Sequence, residues 1–466
     1  MAELQDLVVI GGGAGGFAAA MRAAQLGGRV TVIESTHYGG NCMNKACIPL
    51  TYLMSGARLV DCARKAGRFG VQVGEPQVDM EVLHARKDLI IEGLRLGTEQ
   101  LMAEYGITLV EGQGKLIARD TVEAMPTGVT GSGAQQIKAR NVLLATGSVP
   151  AQLPIEGADL PGVLGTEEAI ELHEVPERVV VVGAQPWDLE LAQYFHFLGS
   201  QVTLIVEGDQ VLEGADREVA QRLGKLLHDS GLAIKRRTAV EAIREADDGA
   251  LVVVLAEGKG EVAADKVLAA RRLPNSVGLG LRQVGVRTEG GAVPVNDRME
   301  TNVPGVYAIG DVTKGIMWSH KANAEGIVAG ECAMGQHSRM EYDALPHCAY
   351  TWPQVAWVGL TEEEAEVACP QMRVGQVPVA INPYAMILDE TAGVMKVIAG
   401  KYGRILGVHL VAPGAVDLIN GAALAMMSEA TVEELMRFIP RHPSLGEALV
   451  DAAMDVEKRS LHMPKW

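Results

Sequence analysis

The sequence predicts an α/β fold: two Rossmann-like units with parallel sheets, followed by a C-terminal α+β lobe. Three observations carry this expectation. A short apolar run, Val8-Val9-Ile10, leads directly into a glycine-rich turn and then a helix-like segment. The same strand, turn, helix, strand order recurs roughly 170 residues later, from Val179. Beyond about residue 340, strand-like stretches precede helix-like ones and no such turn returns.

Composition narrows the class. At 466 residues the chain is long enough for several cores, and 48 % apolar with 21 % charged residues excludes disorder. The 54 glycines follow no three-residue period, which excludes a collagen-like repeat. With 41 Lys and Arg against 58 Asp and Glu, the net charge is −17, and no basic cluster suits a phosphate backbone. Nucleic acid is therefore not an expected partner. No apolar run approaches the roughly 20 residues of a membrane helix, so no membrane contact is expected. The N-terminus lacks a basic segment followed by a long apolar core, which points to a cytoplasmic protein. Six cysteines are too few for a disulfide scaffold at this length.

In chain order, residues 7–34 read as strand, glycine turn, helix and strand, closing on Glu34. Residues 1–150 form the first domain. Pro150, Pro154 and Pro161 mark a linker, and 151–272 form the second unit. In that unit Val179–Val182 is a strand, Gly183 opens a turn, a helix runs through Leu198, and Val202–Val206 ends beside Glu207. Residues 273–340 return to the first domain and carry Gly310-Asp311. The lobe 341–466 holds strand-like Val355–Val358, Val394–Ile398 and Ile405–Leu410, then helix-like Val416–Met427 and Val432–Phe438.

The first turn has the spacing Gly11, Gly13, Gly16. Gly11 allows the tight turn, Gly13 lets a pyrophosphate approach the backbone, and Gly16 lets helix and strand pack closely. The helix N-terminus adds N–H groups and positive dipole. Glu34, 18 residues past Gly16, ends the next strand, where a carboxylate accepts ribose hydroxyls. With strand, helix and terminal acid in place, the segment reads as a dinucleotide site rather than an ordinary glycine turn.

Cys42 and Cys47 stand with four residues between them in Gly40-Asn41-Cys42-Met43-Asn44-Lys45-Ala46-Cys47-Ile48-Pro49. A regular helix separates such Cα atoms by roughly 8–9 Å. A disulfide wants less than about 7 Å, so a bridge here requires a distorted helical turn. Two unconnected buried thiols, or half of a metal site, are the other readings. No second CxxC and no histidine cluster supports a metal, so none is expected. A close pair beside a dinucleotide loop in a reducing compartment reads as redox-active.

The glycine loop, the GG-x-C-x4-C-I-P segment, Ala145-Thr146-Gly147, Gly310-Asp311 and His442-Pro443-Ser444-Leu445-Gly446-Glu447 resemble the FAD-dependent pyridine nucleotide–disulfide oxidoreductases. The resemblance runs nearly end to end. Gly310-Asp311-Val312, then Met317 and His320-Lys321-Ala322, resemble the dihydrolipoamide dehydrogenase branch.

The resemblance implies roles. Cys42 exchanges with a dithiol, and Cys47 lies against the flavin and passes it the electron pair. His442 is the base and Glu447 orients it, although Ser444-x-x-Glu447 also fits a helix-capping box. Both would come from the partner subunit of a homodimer whose C-terminal lobe is the dimerisation domain. FAD falls to Gly11, Gly13, Gly16, Glu34, Gly114, Thr146, Gly147, Asp311, Met317 and His320. Gly183, Glu190 and Glu207 fall to NAD(H), Glu207 favouring NAD over NADP.

The sequence departs from that pattern in the second loop, Gly183-Ala184-Gln185-Pro186-Trp187-Asp188. Gln185 replaces the second glycine and Asp188 the third. Gln185 blocks backbone approach, and Asp188 sets a negative charge where a pyrophosphate would sit. Two unit charges about 4 Å apart at an effective dielectric near 20 repel by about 4 kcal/mol. Arg271 replaces a family glycine, and Leu50-Thr51 replaces the usual Ser-Lys, removing the cation that Glu190 would pair with. The expectation is an FAD-dependent oxidoreductase acting on a lipoyl-bearing protein or small dithiol, with NAD as the family acceptor. The alternatives are a non-NAD acceptor, or a non-catalytic flavoprotein that only docks lipoyl groups. Cys62, Cys332, Cys348 and Cys369 read as packing residues.

Overall fold

The computed structural model describes residues 3–126, 133–247 and 249–464. The chain opens with strand β1 (Gln5–Ile10), helix α1 (Ala14–Gln25) and strand β2 (Val30–Glu34). The last four residues of β1 and all of β2 are buried, as in parallel strands covered on both faces. Helices α2 (Gly40–Lys45), α3 (Cys47–Lys65) and α4 (Met80–Glu104) follow. Strands β3 (Thr108–Glu111), β4 (Gln113–Ala118), β5 (Thr121–Met125) and β6 (Gln135–Leu144) complete this stretch.

The first sheet has the order β3-β2-β1-β6-β5-β4, and Val306–Ala308 pairs in parallel with β6. The chain therefore leaves this sheet and comes back to it. The returning helix Ser319–Ala333 packs along α1 at glycines. A Cβ on Gly326 would lie 2.3 Å from the Gly15 oxygen, and one on Gly330 2.7 Å from the Ala19 oxygen. Only glycine permits that approach, and it fixes the N-terminus of the Ser319 helix beside the first glycine turn.

The second unit is a parallel sheet ordered Ala233–Lys235, Gln201–Ile205, Arg178–Val182, Lys266–Leu268, Val163–Leu164. Its helix Pro186–Leu198 is buried over ten of thirteen residues and packs against α3. Two short antiparallel strands, Ser148–Pro150 and Arg272–Pro274, join this unit to the first sheet. Glu207 does not end a strand: it lies two residues past Ile205 and is exposed.

The C-terminal lobe is an antiparallel sheet ordered His347–Ala349, Gln354–Gly359, Ile405–Ala412, Val394–Ala399, Arg373–Pro378. Helices Ala415–Met427 and Gly446–Val456 cover it and bury a separate core. Lys396, buried in this sheet, reaches Asp216 of the second unit at 2.9 and 3.0 Å and ties the two together. Among the described residues no helix is long and apolar enough to cross a membrane.

Candidate active site

The first glycine turn shapes a cleft of about 460 Å³. Gly11 has φ +105°, and a Cβ there would lie 2.3 Å from the Ala145 oxygen. A Cβ on Gly16 would lie 1.9 Å from the Gly11 oxygen, so α1 rests directly on the turn. Gly13 differs: its Cβ would meet nothing nearer than the Gly40 Cα at 3.7 Å, so that face is open. An anionic bridge fits this open face at the N-terminus of α1. Glu34 Oε2 accepts the Gly12 N–H at 2.8 Å, and Oε1 accepts from Thr36 N–H and hydroxyl at 2.8 and 3.0 Å.

Gly114, Thr146, Gly147 and Asp311 line the same cleft. A Cβ on Gly114 would lie 2.8 Å from the Ile10 side chain. The Thr146 hydroxyl donates to the Asn275 oxygen at 2.6 Å, and Asp311 Oδ2 accepts from the Ser148 hydroxyl at 2.6 Å. These contacts pin the strand crossing to the cleft wall. The residues present therefore fit FAD: an open glycine face, a carboxylate at the end of β2, and a second carboxylate at Asp311. Met317 and His320 stand apart. Neither lines this cleft, and His320 Nε2 faces the Pro346 oxygen at 2.7 Å, bordering a different cavity.

The helix breaks between the two cysteines. Ala46 has φ −140° and ψ −94°, so α2 stops and α3 starts afresh at Cys47. A broken turn of this kind is what a bridge between the two cysteines would require. The two thiols are unbridged in this structure, and each shifts the other's ionisation. Interaction with Cys47 holds the Cys42 thiol below the ordinary range, with Ser319 helping and burial opposing. Interaction with Cys42, then burial, drives Cys47 well above it. The pair thus gives up one proton easily and the second with difficulty.

Around the pair lie residues that sequence reading passes over. Ser319, the first residue of its helix, lines the cleft and sets its hydroxyl 3.4 Å from Cys47 Sγ. Glu167 gathers Lys45 at 3.0 Å and Arg272 at 3.2 Å. The Asn41 amide, oriented by its neighbours, donates to Glu167 at 3.1 Å and accepts from Arg272 at 3.1 Å. The segment carrying Cys42 is thereby tied to the second unit.

His442 and Glu447 do not line the cleft of their own chain. His442 Nδ1 lies 2.9 Å from Glu447 Oε1, while Glu447 Oε2 accepts the Ser444 N–H at 2.9 Å. Glu447 both caps and orients. The hydrogen bond from His442 holds its carboxyl below the usual range, and the imidazole itself is exposed.

The second loop is closed by its own side chain. Asp188 is buried, and its Oδ2 accepts the Gln185 N–H at 2.9 Å. A Cβ on Gly183 would lie 2.2 Å from that oxygen. Burial lifts the Asp188 carboxyl to about 8, against the Gln185 hydrogen bond and with help from Glu190. Asp188 is thus protonated at neutral pH, contrary to the charge assigned to it from sequence. The obstacle is occupation of the loop's N–H and space, not repulsion. Glu190 lies nearby, buried, and burial lifts it too to about 8. Lacking a lysine at Thr51, it accepts only the Tyr350 N–H at 2.9 Å among the hydrogen bonds described.

Comparison with known proteins agrees with this geometry. Residues 5–326 match the family described as pyridine nucleotide-disulphide oxidoreductase, and 345–453 match that family's dimerisation domain. The chain is 35 % identical to dihydrolipoyl dehydrogenase, mitochondrial, of Pisum sativum, covering 98 % of this chain and 92 % of that protein. It is 37 % identical to dihydrolipoyl dehydrogenase of Thermus scotoductus, covering 98 % of each. The crystal structure of LpdA from Mycobacterium tuberculosis superposes with a TM-score of 0.89 at 25 % identity, covering 96 % of this chain and 98 % of the other. A turn-bounded flavin cleft, a cysteine pair at its edge and a separate dimerisation lobe thus occur in one chain, and that chain belongs to the FAD-dependent pyridine nucleotide–disulphide oxidoreductase family.

Proposed function

We propose that this protein works as a homodimer that oxidises a dihydrolipoyl group, on a lipoyl-bearing protein or a small dithiol, through Cys42–Cys47 and FAD. The observation that carries the reading is the pair of free thiols on either side of the Ala46 break, with Cys42 lining the glycine-turn cleft. Gly11, Gly13 and Gly16 would hold the pyrophosphate, Glu34 a ribose, and Asp311 a ribitol-side hydroxyl. When bound, FAD supplies a two-electron acceptor.

The rest is thiol chemistry on this chain's own atoms. A substrate thiolate attacks Cys42 Sγ of the oxidised pair. The substrate–Cys42 bond forms, the Cys42–Cys47 bond breaks, and Cys47 leaves as a thiolate carrying the electron pair. The second substrate thiol, once deprotonated, attacks the sulfur joined to Cys42. This releases the cyclic disulfide and the Cys42 thiol.

His442 takes the proton. Its Nδ1–H donates to the ionised Glu447, which leaves Nε2 as the acceptor. Because His442 is exposed and outside its own cleft, it serves Cys42 of the other copy.

For the acceptor, the filled second loop favours a compound other than NAD. Anaerobic addition of dihydrolipoamide tests the main reading. The wild-type flavin bleaches, and the Cys42→Ser flavin does not. A protein that binds the dithiol with no bleaching is a docking module instead.

A further inference from the structure

We propose that Ser319 is a positioning residue for the redox pair: its hydroxyl donates to the thiolate set free when the Cys42–Cys47 bond opens. The inference rests on the dithiol–disulfide reading and adds to it the group that receives the leaving sulfur.

The geometry comes from two distant segments. Ser319 Oγ lies 3.4 Å from Cys47 Sγ, within the range for a hydroxyl–sulfur contact. It begins a fifteen-residue helix, so its hydroxyl and the first-turn N–H groups stand at the positive end of that helix. The helix is locked in place by the Gly326 and Gly330 contacts with α1, which leaves little slack in the serine's position. The Cys47 contact favours the charged form of that thiol, and Ser319 lowers the Cys42 thiol as well.

Other titratable groups around the pair lack that effect. Asp311, on the turn before the helix, opposes charge on Cys42. From the Pro186–Leu198 helix, Glu190 feels the Cys47 charge and is lifted chiefly by burial to about 8. Cys348 and Tyr350, on and just past the His347–Ala349 strand, are each lifted chiefly by burial to about 12, so both are neutral at pH 7. Of these groups, Asp311 is the one that opposes charge on the pair, and Ser319 works against it.

In the opening step, electrons and atoms balance as described above. The Cys42–Cys47 bond breaks, the substrate–Cys42 bond forms, and the electron pair departs on Cys47 Sγ. The Ser319 proton is not transferred. It is shared with the sulfur, which makes Cys47 a better leaving group and holds it as a thiolate afterwards.

The test compares wild-type, Ser319→Ala and Ser319→Thr holoenzymes. Each is reduced under anaerobic conditions and treated with iodoacetamide across pH 5 to 10, with alkylation read at the Cys42 and Cys47 peptides. Loss of a hydrogen bond to a charged sulfur is worth roughly tenfold. Ser319→Ala is expected to lower the alkylation rate of the pair at pH 7 by roughly that factor and to move its midpoint upward. Ser319→Thr, which keeps a hydroxyl, is expected to restore both, with flavin content equal in all three. A Ser319→Ala profile that superimposes on wild type overturns the inference. So does a Ser319→Thr profile shifted as far as that of Ser319→Ala. The parent reading is checked separately by thiol count. Air-oxidised wild type must show two fewer free thiols than reduced protein, and equal counts overturn both.

Discussion

Asp188 Oδ2 accepts the backbone N–H of Gln185 at 2.9 Å, in the turn where a second dinucleotide would rest its phosphates. The first turn carries Gly16 at the matching place, and its Gly13 face is open. One chain thus holds a nucleotide turn that is open and another that has filled itself.

The buried Asp188 carboxyl makes folding stability depend on pH. Its folded value is raised to about 8, while an unfolded aspartate titrates near about 4. Folded protein therefore keeps a proton that unfolded protein releases. The stabilisation is full below about pH 4 and is lost as pH rises toward 8. Asp188→Asn keeps an oxygen for Gln185 and removes the titration. Between pH 5.5 and 8.5 the unfolding free energy from urea titration should fall less in Asp188→Asn than in wild type, by up to about 1.4 kcal/mol per pH unit. Parallel pH profiles would show that the carboxyl is ionised in the folded protein.

The cysteines should behave unequally. Cys42 is the first cause of the raised Cys47 thiol, so removing it frees Cys47 to ionise. Cys42→Ser protein with oxidised flavin should therefore show a long-wavelength absorbance band that vanishes when Cys47 is replaced instead. Both variants should lose dithiol oxidation. Wild-type activity in either one contradicts the disulfide mechanism.

For His442→Gln, flavin reduction by dihydrolipoamide should slow by roughly 100- to 10,000-fold, the worth of a positioned acid–base group. Glu447→Gln should cost less, because the imidazole remains and only its orientation and charge support weaken. Stopped-flow absorbance reads both. An unchanged rate in His442→Gln would make that residue structural.

Gly13→Gln should lose flavin. Its side chain enters the open face that a pyrophosphate needs, where among the described residues a Gly13 Cβ would meet only the Gly40 Cα at 3.7 Å. The ratio of visible to ultraviolet absorbance in purified protein measures this. Full flavin content in the variant would move the pyrophosphate elsewhere.

Much of this architecture is legible in the sequence, and the reason is local pattern. Gly11, Gly13 and Gly16 mark a turn because strand, turn and helix chemistry agree within a few residues of one another. The Cys42–Cys47 spacing foretells a broken helix because regular geometry forbids a bridge, and Ala46 supplies the break. Glu447 could be read as a cap or as a partner of His442, and its two oxygens do both.

Other features are not legible. Ser319 and Cys47 are 272 positions apart and meet only because Gly326 and Gly330 dock their helix on α1. The Glu167 cluster likewise joins three segments with no shared motif. The sign of the Asp188 effect also escaped the sequence. Residue type indicates a charge, whereas burial, visible only in the fold, keeps the group protonated.

The most direct test of the account is anaerobic stopped-flow reduction of the wild-type flavin by dihydrolipoamide and by NADH, side by side with Gln185→Gly/Asp188→Gly protein. A working dithiol site with a filled second loop predicts rapid reduction of wild type by the dithiol, slow reduction with weak binding by NADH, and a gain in NADH binding and rate in the double variant. Rapid reduction of wild type at micromolar NADH, unchanged in the double variant, would contradict it.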